Sequence, residues 1–221
     1  MIPMKKLFTF LTFIVFSLTT HAERLVLVGV SYGKNRLAIT DASGKVLWEH
    51  KTAGPQRGHT GHHDVHLLPN GNILYHDTWT KTQEITLGKK VVWSYESAKM
   101  NGNAGKRVDV HAFARMKNGN TMIVESNVGR VIEVDAKGKI VWKVDNDDIG
   151  EKLFDDACGV QRLPNGNTVI TSYHAKGNAV KLFEVTRDKK VVWRYRGQKA
   201  GFHHFQILTT NGQSLKNNTL K

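Results

Sequence analysis

The 221-residue chain is poor in cysteine and in helical patterning. Its one cysteine, Cys158, excludes an internal disulfide, so the fold must be held by packing and strand pairing. No window of the mature sequence sustains a 3.6-residue apolar period, and we therefore expect almost no helix.

Acidic residues are also scarce, since 19 Asp and Glu stand against 32 Lys and Arg and give a formal net charge of +13. Such a surface can attract polyanions, anionic lipid head groups or acidic small molecules. The lysines are spread through turns and strand ends without the cluster that a nucleic-acid groove needs. This spread argues against specific nucleic-acid binding and favours a general role in solubility.

The chain has no apolar run of the ~20 residues that a membrane span requires. Lys5 and Lys6 precede a shorter apolar run over 7–18, and a small residue, Ala22, follows. This pattern predicts a signal peptide over 1–22, a mature domain over 23–221 and a periplasmic or secreted protein. An uncleaved N-terminal anchor is the alternative; cleavage would lower the net charge to +11 and leave no membrane span.

Two internal repeats run in phase along the mature sequence. Turn motifs begin at Asn70, Asn118, Asn165 and Asn211, in steps of 48, 47 and 46 residues. Tryptophans that follow aliphatic pairs recur at Trp48, Trp93, Trp142 and Trp193. Asn-Gly between short apolar runs is a strong hairpin signal, and about four strands per repeat is the size of a propeller blade.

The repeats therefore predict an all-β protein, a β-propeller with four blades of four antiparallel strands. The N-terminal segment supplies the last three strands of one blade, and the C-terminal segment 205–208 supplies the missing first strand. We expect these terminal strands to pair and close that blade, which removes an exposed sheet edge. The four repeated tryptophans are expected to fill the gaps between neighbouring sheets.

One register in each repeat carries residues able to bind a metal. The position seven residues before each turn asparagine is His63, His111, Cys158 and His204; one extra residue in the last turn would make the fourth His203. First strands of a propeller line the central channel, so these side chains should converge. Zinc or copper is the cofactor that this set suits. A hydrogen-bonded ring without metal and a small anion held by protonated histidines are the alternatives.

Other polar residues surround this register. Asp64 could orient an imidazole and His66 crowds the same approach, while Arg115 and Arg162 lie further along the first strands. The candidate metal ligands are thus His63, His111, Cys158 and His204. The candidate ligand-binding set, which overlaps them, is His63, Asp64, His66, His111, Arg115, Arg162, His203 and His204. No complete nucleophile, base and orienting group can be assembled from spacing, so no catalytic residue is assigned.

Segments 62–72, 133–142 and 159–168 resemble blades of exported bacterial PQQ-like β-propeller repeat proteins. Their His-Asp and Leu-Pro-Asn-Gly-Asn pattern is also similar to that of arylsulfotransferase-type propellers. The second resemblance implies a channel histidine that carries a sulfuryl group. Quinone dehydrogenases with this repeat have twice the blades and vicinal cysteines, so a PQQ cofactor is not expected here.

Two functional hypotheses follow. The first is an exported, non-enzymatic propeller that binds a metal, a small molecule or a protein partner at its channel mouth. The second is an arylsulfotransferase-like enzyme, in which Arg115 or Arg162 would hold the sulfuryl oxygens beside a channel histidine. The first is preferred because a fold alone does not imply an activity. The sequence leaves the oligomeric state open.

Overall fold

A computed structural model describes residues 24–30, 35–53, 64–154, 156–197, 201–210 and 213–215. These residues form four antiparallel sheets of three or four consecutive strands, followed by a separate two-stranded hairpin. The first sheet contains β1 (Val26–Val30), β2 (Arg36–Thr40) and β3 (Val46–Lys51). The second contains β4 (Val65–Leu67), β5 (Ile73–His76), β6 (Lys81–Ile85) and β7 (Val91–Glu96).

The third sheet contains β8 (Val110–Arg115), β9 (Thr121–Glu125), β10 (Arg130–Val134) and β11 (Ile140–Asp145). One helical turn, α1 (Asn146–Ile149), precedes the fourth sheet of β12 (Val160–Arg162), β13 (Thr168–Thr171), β14 (Leu182–Val185) and β15 (Val191–Tyr195). A last hairpin joins β16 (Thr209–Thr210) to β17 (Gln213–Ser214). The prediction of a four-sheet, propeller-type all-β fold is confirmed.

The repeated Asn-Gly turns set the strand boundaries. The Asn70 side chain accepts a hydrogen bond from the amide of Asn72 at 3.0 Å, and the glycine between them has φ +80°. Left-handed backbone at this point suits glycine, and an Asx turn of this kind reverses the chain locally. The turns at Asn118 and Asn165 fold in the same way, so each of these three turns pairs a first strand with a second strand.

Apolar clusters lie between successive sheets. Tyr75 and Ile85 pack toward the first sheet, and Phe113 packs with Leu74 of the second sheet. Phe183 belongs to the cluster between the third and fourth sheets. Sheets stacked face to face in chain order are the packing expected of propeller blades.

Two of the repeated tryptophans hydrogen-bond across a sheet boundary. The indole nitrogen of Trp48 donates to the carbonyl of Leu87 at 2.7 Å, and that of Trp142 donates to Arg187 at 2.9 Å. Each donor lies on the outer strand of one sheet and each acceptor lies in a turn of the next. The predicted structural role of these tryptophans is consistent with both contacts.

An ion pair accompanies the tryptophan at two boundaries. Arg115 lies over the Trp93 ring at 4.9 Å and bonds to Glu84 at 2.8 Å. The next boundary has the same arrangement, which we call the Glu–Arg–Trp joint. Its members there are Glu133, Arg162 and Trp142, with 3.0 Å between Arg162 and Glu133 and 4.8 Å from Arg162 to the Trp142 ring.

The predicted closure of one blade by the two termini is not seen and has to be corrected. Among the described residues β1 pairs only with β2, and residues 205–208 are not a strand. Instead, Phe205 and Ile207 pack on the face of the fourth sheet, against Leu163 and Leu182. Apolar packing on this face, together with the separate β16–β17 hairpin, holds the C-terminal segment next to the fourth sheet.

The one helix in the described ranges, α1, is a single turn capped by Asp145, whose side chain accepts from the Asp148 amide. No helix among those ranges is long and apolar enough to cross a membrane. The predicted signal peptide, 1–22, lies outside the described residues.

Candidate metal site of two histidines and a cysteine

Three of the residues expected at the shared register meet in the structure. His111 lies on β8, Cys158 lies just before β12, and His203 lies in the C-terminal segment. Their ligand atoms all lie within 4.8 Å of one another. The convergence of this register, predicted from the repeat, therefore occurs for these three residues.

A β-bulge positions His111. The register of β8 against β9 shifts between Val110 and Ala112, which leaves His111 as the extra residue. Bulges re-aim a side chain out of the regular alternation of a strand. The His111 ring lies 5.8 Å from the Trp79 ring, and its Nδ1 lies 2.9 Å from the Cys158 Sγ.

The electrostatic surroundings keep the His111 imidazole neutral. Burial lowers its pKa below the ordinary value, and the negative charge of Asp156 only partly opposes this effect. A neutral imidazole has a lone pair available for a metal ion. It is a poor receptor for an anion, which would need the protonated form.

Cys158 is buried and rigidly held. The amides of Cys158 and Gly159 both donate to the Thr171 hydroxyl, at 2.9 and 2.8 Å. Burial raises the pKa of the Cys158 thiol well above its ordinary value, and the charge of Asp156 adds to this. Without a metal the group is therefore a protonated thiol, and its raised pKa disfavours a role as a nucleophile.

His203 occupies the fourth register position, and the residue expected there by simple counting, His204, does not. The His203 ring stacks on His111 with centroids 5.9 Å apart and an interplanar angle of 11°. The His204 side chain is exposed, and its ring nitrogens are not part of the three-residue cluster. Only His203 of these two adjacent residues therefore faces the site.

The absence of a side chain at Gly159 allows this arrangement. A Cβ built on Gly159 would lie 2.6 Å from the carbonyl oxygen of His203. Real Cβ atoms do not approach an oxygen so closely, and any larger residue would push the C-terminal segment away. The glycine thus permits the close approach that brings His203 to Cys158.

The other predicted site residues that the structure describes are not part of the cluster. His63 lies outside the described residues. Asp64 and His66 are buried in the second sheet with 3.0 Å between carboxylate and imidazole, and the His66 ring packs on Phe113 at 5.2 Å. This pair contributes to the boundary between the second and third sheets.

Arg115 and Arg162 also lie away from the cluster. Each is four residues further along its strand than the cluster residue of the same repeat, a separation of about 13 Å in extended chain. Both guanidinium groups bond to buried glutamates in the Glu–Arg–Trp joints. Their positions support a role in holding sheets together.

Sequence reasoning missed the loop that covers His203. The loops between the second and third strands are four residues long in the second and third sheets (77–80 and 126–129), but residues 172–181 make ten in the fourth. The ring of Tyr173, in this longer loop, lies 4.1 Å from the His203 ring. The sequence did contain a signal for this longer loop: the spacing from Trp142 to Trp193 is the longest between the repeated tryptophans.

A buried lysine anchors the same loop. Lys181 has no exposed surface, and its ammonium group donates to the Ala175 carbonyl. At the other end of the loop, His174 lies 3.4 Å from the Asp156 carboxylate. Insertions in one repeat of a propeller commonly lie on the binding face, and this insertion contacts His203 of the cluster.

Comparison with known proteins supports the fold only. No protein-family model and no curated protein sequence matches the chain. A virginiamycin B lyase from Staphylococcus aureus superposes with a TM-score of 0.52 at 13% identity, over 78% of this chain and 54% of the lyase. A streptogramin B lyase gives 0.51 at 14% identity, over 73% and 48% respectively.

The WD40 β-propeller domain of Doa1 is similar to the same degree, with a TM-score of 0.50 at 14% identity, over 76% of this chain and 50% of that structure. The chain thus spans about half the length of these three structures. At this level of identity they carry no information about ligand or activity. Together with the four stacked sheets, they establish that the chain is a β-propeller-type protein.

Proposed function

We propose that the protein is a metal-binding propeller module in which His111, Cys158 and His203 hold a zinc or copper ion. The observation that carries this proposal is that three ligand atoms from three separate segments lie within 4.8 Å of one another. The segments are far apart in sequence, so only the fold brings their side chains together. Thiolate and imidazole are ligands that both metals prefer.

The spacing is close to what a bound ion needs. With metal–sulfur and metal–nitrogen bonds of about 2.3 and 2.0 Å, the ligand atoms of a tetrahedral site with one sulfur and two nitrogens lie roughly 3.3–3.6 Å apart. The widest pair would have to close by roughly 1.2–1.5 Å, and the 2.9 Å pair of His111 and Cys158 would have to open by roughly 0.6 Å. Side-chain rotations of this size are small, so the three residues fit such an ion without a change of fold. The repeat register makes His63 the fourth ligand.

Two alternatives at the same residues have weaker support. A metal-free hydrogen-bonded ring would leave the buried thiol with only weak partners, the His111 nitrogen and the Asp156 carbonyl at 3.4 Å. Anion binding needs protonated imidazoles, whereas burial lowers the pKa of His111. Metal binding makes use of the neutral imidazole and of the thiol, which the ion would deprotonate.

The test is the metal content of protein purified without a metal-affinity tag. We expect about one equivalent of zinc or copper, and loss of most of it in Cys158→Ser and His203→Ala. His204→Ala is the matched control, because this exposed neighbour should leave the metal content unchanged. Metal-free protein that also fails to take up either ion would refute the proposal. Equal losses from both histidine variants would refute the assigned register.

The predicted export accompanies this proposal. The N-terminal pattern supports cleavage after Ala22 and a periplasmic or secreted location, and the blade pattern supports kinship with PQQ-like repeat proteins. Mass spectrometry of the mature protein should give a first residue of Glu23. A retained N-terminus would favour the membrane anchor.

The arylsulfotransferase alternative rests on the resemblance of blade pattern alone. The arginines expected to hold a sulfuryl group, Arg115 and Arg162, already bond to Glu84 and Glu133. Transfer from an aryl sulfate that disappears in alanine variants of His63, His111 and His204 would establish this activity. Folded protein without transfer would exclude it.

A further inference from the structure

The strands of the four sheets have two ends that expose different side chains. Because the strands are antiparallel, the turns between first and second strands lie at the same end as the turns between third and fourth strands. We call this end the hairpin end; in the first sheet it is where β1 begins and β2 ends. The metal cluster lies at the opposite end, since His111 is at the start of β8 and Cys158 precedes β12.

The hairpin ends of successive sheets lie side by side. The indole nitrogen of Trp48 donates to Leu87 in a turn of the second sheet, and that of Trp142 donates to Arg187 in a turn of the fourth. A Glu–Arg–Trp joint links the second and third sheets at the same end. The hairpin ends of the four sheets are therefore neighbours on one side of the molecule.

Exposed apolar side chains are concentrated at the hairpin end. Of the twelve large hydrophobic side chains that are exposed among the described residues, eleven lie at this end. The twelfth, Leu208, lies in the C-terminal segment. Single exposed hydrophobic residues are normal on a protein surface, but a random scatter would place them at both ends of the strands.

A β-bulge in every sheet exposes one of these side chains. The pairing of the third and fourth strands shifts register at the same position in all four sheets. The extra residues are Leu47, Val92, Val141 and Val192, which are between 45% and 54% exposed. A bulge keeps an outer strand from pairing with another chain, but a polar residue would serve that purpose better. An exposed aliphatic residue in each of the four bulges therefore indicates a contact surface.

Exposed lysines accompany the bulges. A lysine lies two residues before each bulge residue, and the four are Lys45, Lys90, Lys139 and Lys190. The turns of the hairpin end together carry nine Lys and Arg but only three Asp. These turns are 41–45, 68–72, 86–90, 116–120, 135–139, 163–167 and 186–190.

The opposite end has no such excess of positive charge among the described residues. Its connections between strands carry six Lys and Arg against seven Asp and Glu. The connections counted are 52–53, 64, 77–80, 97–109, 126–129, 146–154, 156–159 and 172–181. The lysines that are spread along the sequence are thus gathered by the fold at the end that also exposes the aliphatic residues.

We propose that the hairpin end binds an anionic lipid surface, with its lysines at the head groups and the bulge residues in the interface. Exposed aliphatic residues set among lysines are typical of segments that lie on anionic membranes. The four bulge residues belong to four different sheets, each with its own lysine, and so form separate points of contact. A fluid layer of head groups can surround separate points, whereas a peptide partner needs a continuous groove. The metal cluster, on which the proposal does not depend, would face away from the membrane.

Binding to vesicles of defined composition tests the proposal. The full chain is mixed with vesicles of phosphatidylcholine alone, or with vesicles in which about one third of the lipid is phosphatidylglycerol. We expect binding only to the anionic vesicles. Raising the salt from about 0.1 to about 0.5 M should weaken it at least ten-fold, because salt screens the lysines. A parent protein that binds neither kind of vesicle overturns the proposal.

Two triple variants with the same net charge locate the contact. The variant of the hairpin end is Lys45→Glu, Lys90→Glu and Lys139→Glu. The control, at exposed positions of the opposite end, is Lys99→Glu, Lys106→Glu and Lys176→Glu. We expect the first to weaken vesicle binding roughly 30-fold or more and the control to weaken it less than about three-fold, with unchanged circular dichroism in both. Equal losses overturn the proposal, since net charge alone would then explain the binding.

A third variant tests the aliphatic residues. Leu47→Ser, Val92→Ser and Val141→Ser together should weaken vesicle binding at least five-fold and leave its salt dependence unchanged. Binding equal to that of the parent overturns the insertion of these side chains into the interface. Binding of poly-glutamate without binding of anionic vesicles also overturns the proposal, in favour of an acidic protein partner.

Discussion

Glu133 links the third sheet to the fourth through a network of hydrogen bonds. Its carboxylate is buried and accepts hydrogen bonds from Asn120 at 2.7 Å, Arg162 at 3.0 Å and Arg187 at 2.5 Å. Burial alone would raise its pKa, but the hydrogen bonds from Asn120 and Arg187 and the charges of both arginines lower it overall. The ionised form is therefore the one that stabilises the boundary.

We expect Glu133→Gln to lower the free energy of unfolding at neutral pH by about 2 kcal/mol. Breaking a buried ion pair costs roughly 3–5 kcal/mol, and the partial exposure of Arg187 reduces this. The corresponding fall in melting temperature is roughly 4–8 °C. Urea unfolding followed by tryptophan fluorescence measures the difference, and Glu49→Gln, in the exposed pair with Arg36, should cost less than about 0.5 kcal/mol.

The dependence of the free energy of unfolding on pH, at acid pH, provides a second check on Glu133. Because its folded pKa is lower than the ordinary value of 4.5, its contribution is present above that value. The contribution is lost as the pH falls through the lower, folded pKa. The difference between parent and Glu133→Gln should therefore shrink below about pH 4.5. A difference that is independent of pH, or no larger than that of Glu49→Gln, would refute the reasoning.

Two further substitutions test the contacts that hold the sheets and the site. Gly159→Ala should displace the carbonyl of His203 and reduce metal uptake by at least ten-fold with the fold retained, as measured by metal titration; unchanged affinity would contradict the close approach. Trp142→Phe should cost about 1 kcal/mol, since it removes the hydrogen bond to Arg187. The same change at the exposed Trp193 should cost clearly less, and equal losses in urea unfolding would argue against the cross-boundary bond.

Much of the fold could be predicted from the sequence because it repeats. Asn-Gly turns need left-handed backbone, so Asn70 and its equivalents fixed where hairpins occur, and the tryptophans fixed the outer strands. Closure could not be predicted in the same way. Closure depends on the angle between successive sheets, and no turn motif encodes that angle. The apolar side chains of 205–208 could be buried in a blade closed with the N-terminal strands, as predicted, or on the face of the fourth sheet, as observed.

The sequence predicted which positions of the repeat form the site, but not how their side chains are arranged. Counting from the turns identified His111 and Cys158, because equal positions in successive blades face the same way. Counting could not choose between His203 and His204, since one extra residue reverses the direction of a side chain in extended chain. The Glu–Arg–Trp joints were missed for another reason. We interpreted Arg115 and Arg162 as ligand-binding residues, because the sequence does not show whether an arginine side chain in a strand is exposed or buried.

The first boundary of the stack shows what the joint requires. In the first sheet Ile39 pairs with Trp48 at the register where Glu84 pairs with Trp93 in the second. At the register of Arg115 the adjoining strand β4 has Leu67, so both members of the ion pair are replaced together by aliphatic residues. Replacing a buried ion pair by apolar residues is often neutral, whereas losing one charge is costly. The first boundary of the stack therefore holds without an ion pair: Ile39 joins the apolar cluster with Trp48, and Leu67 is 62% exposed.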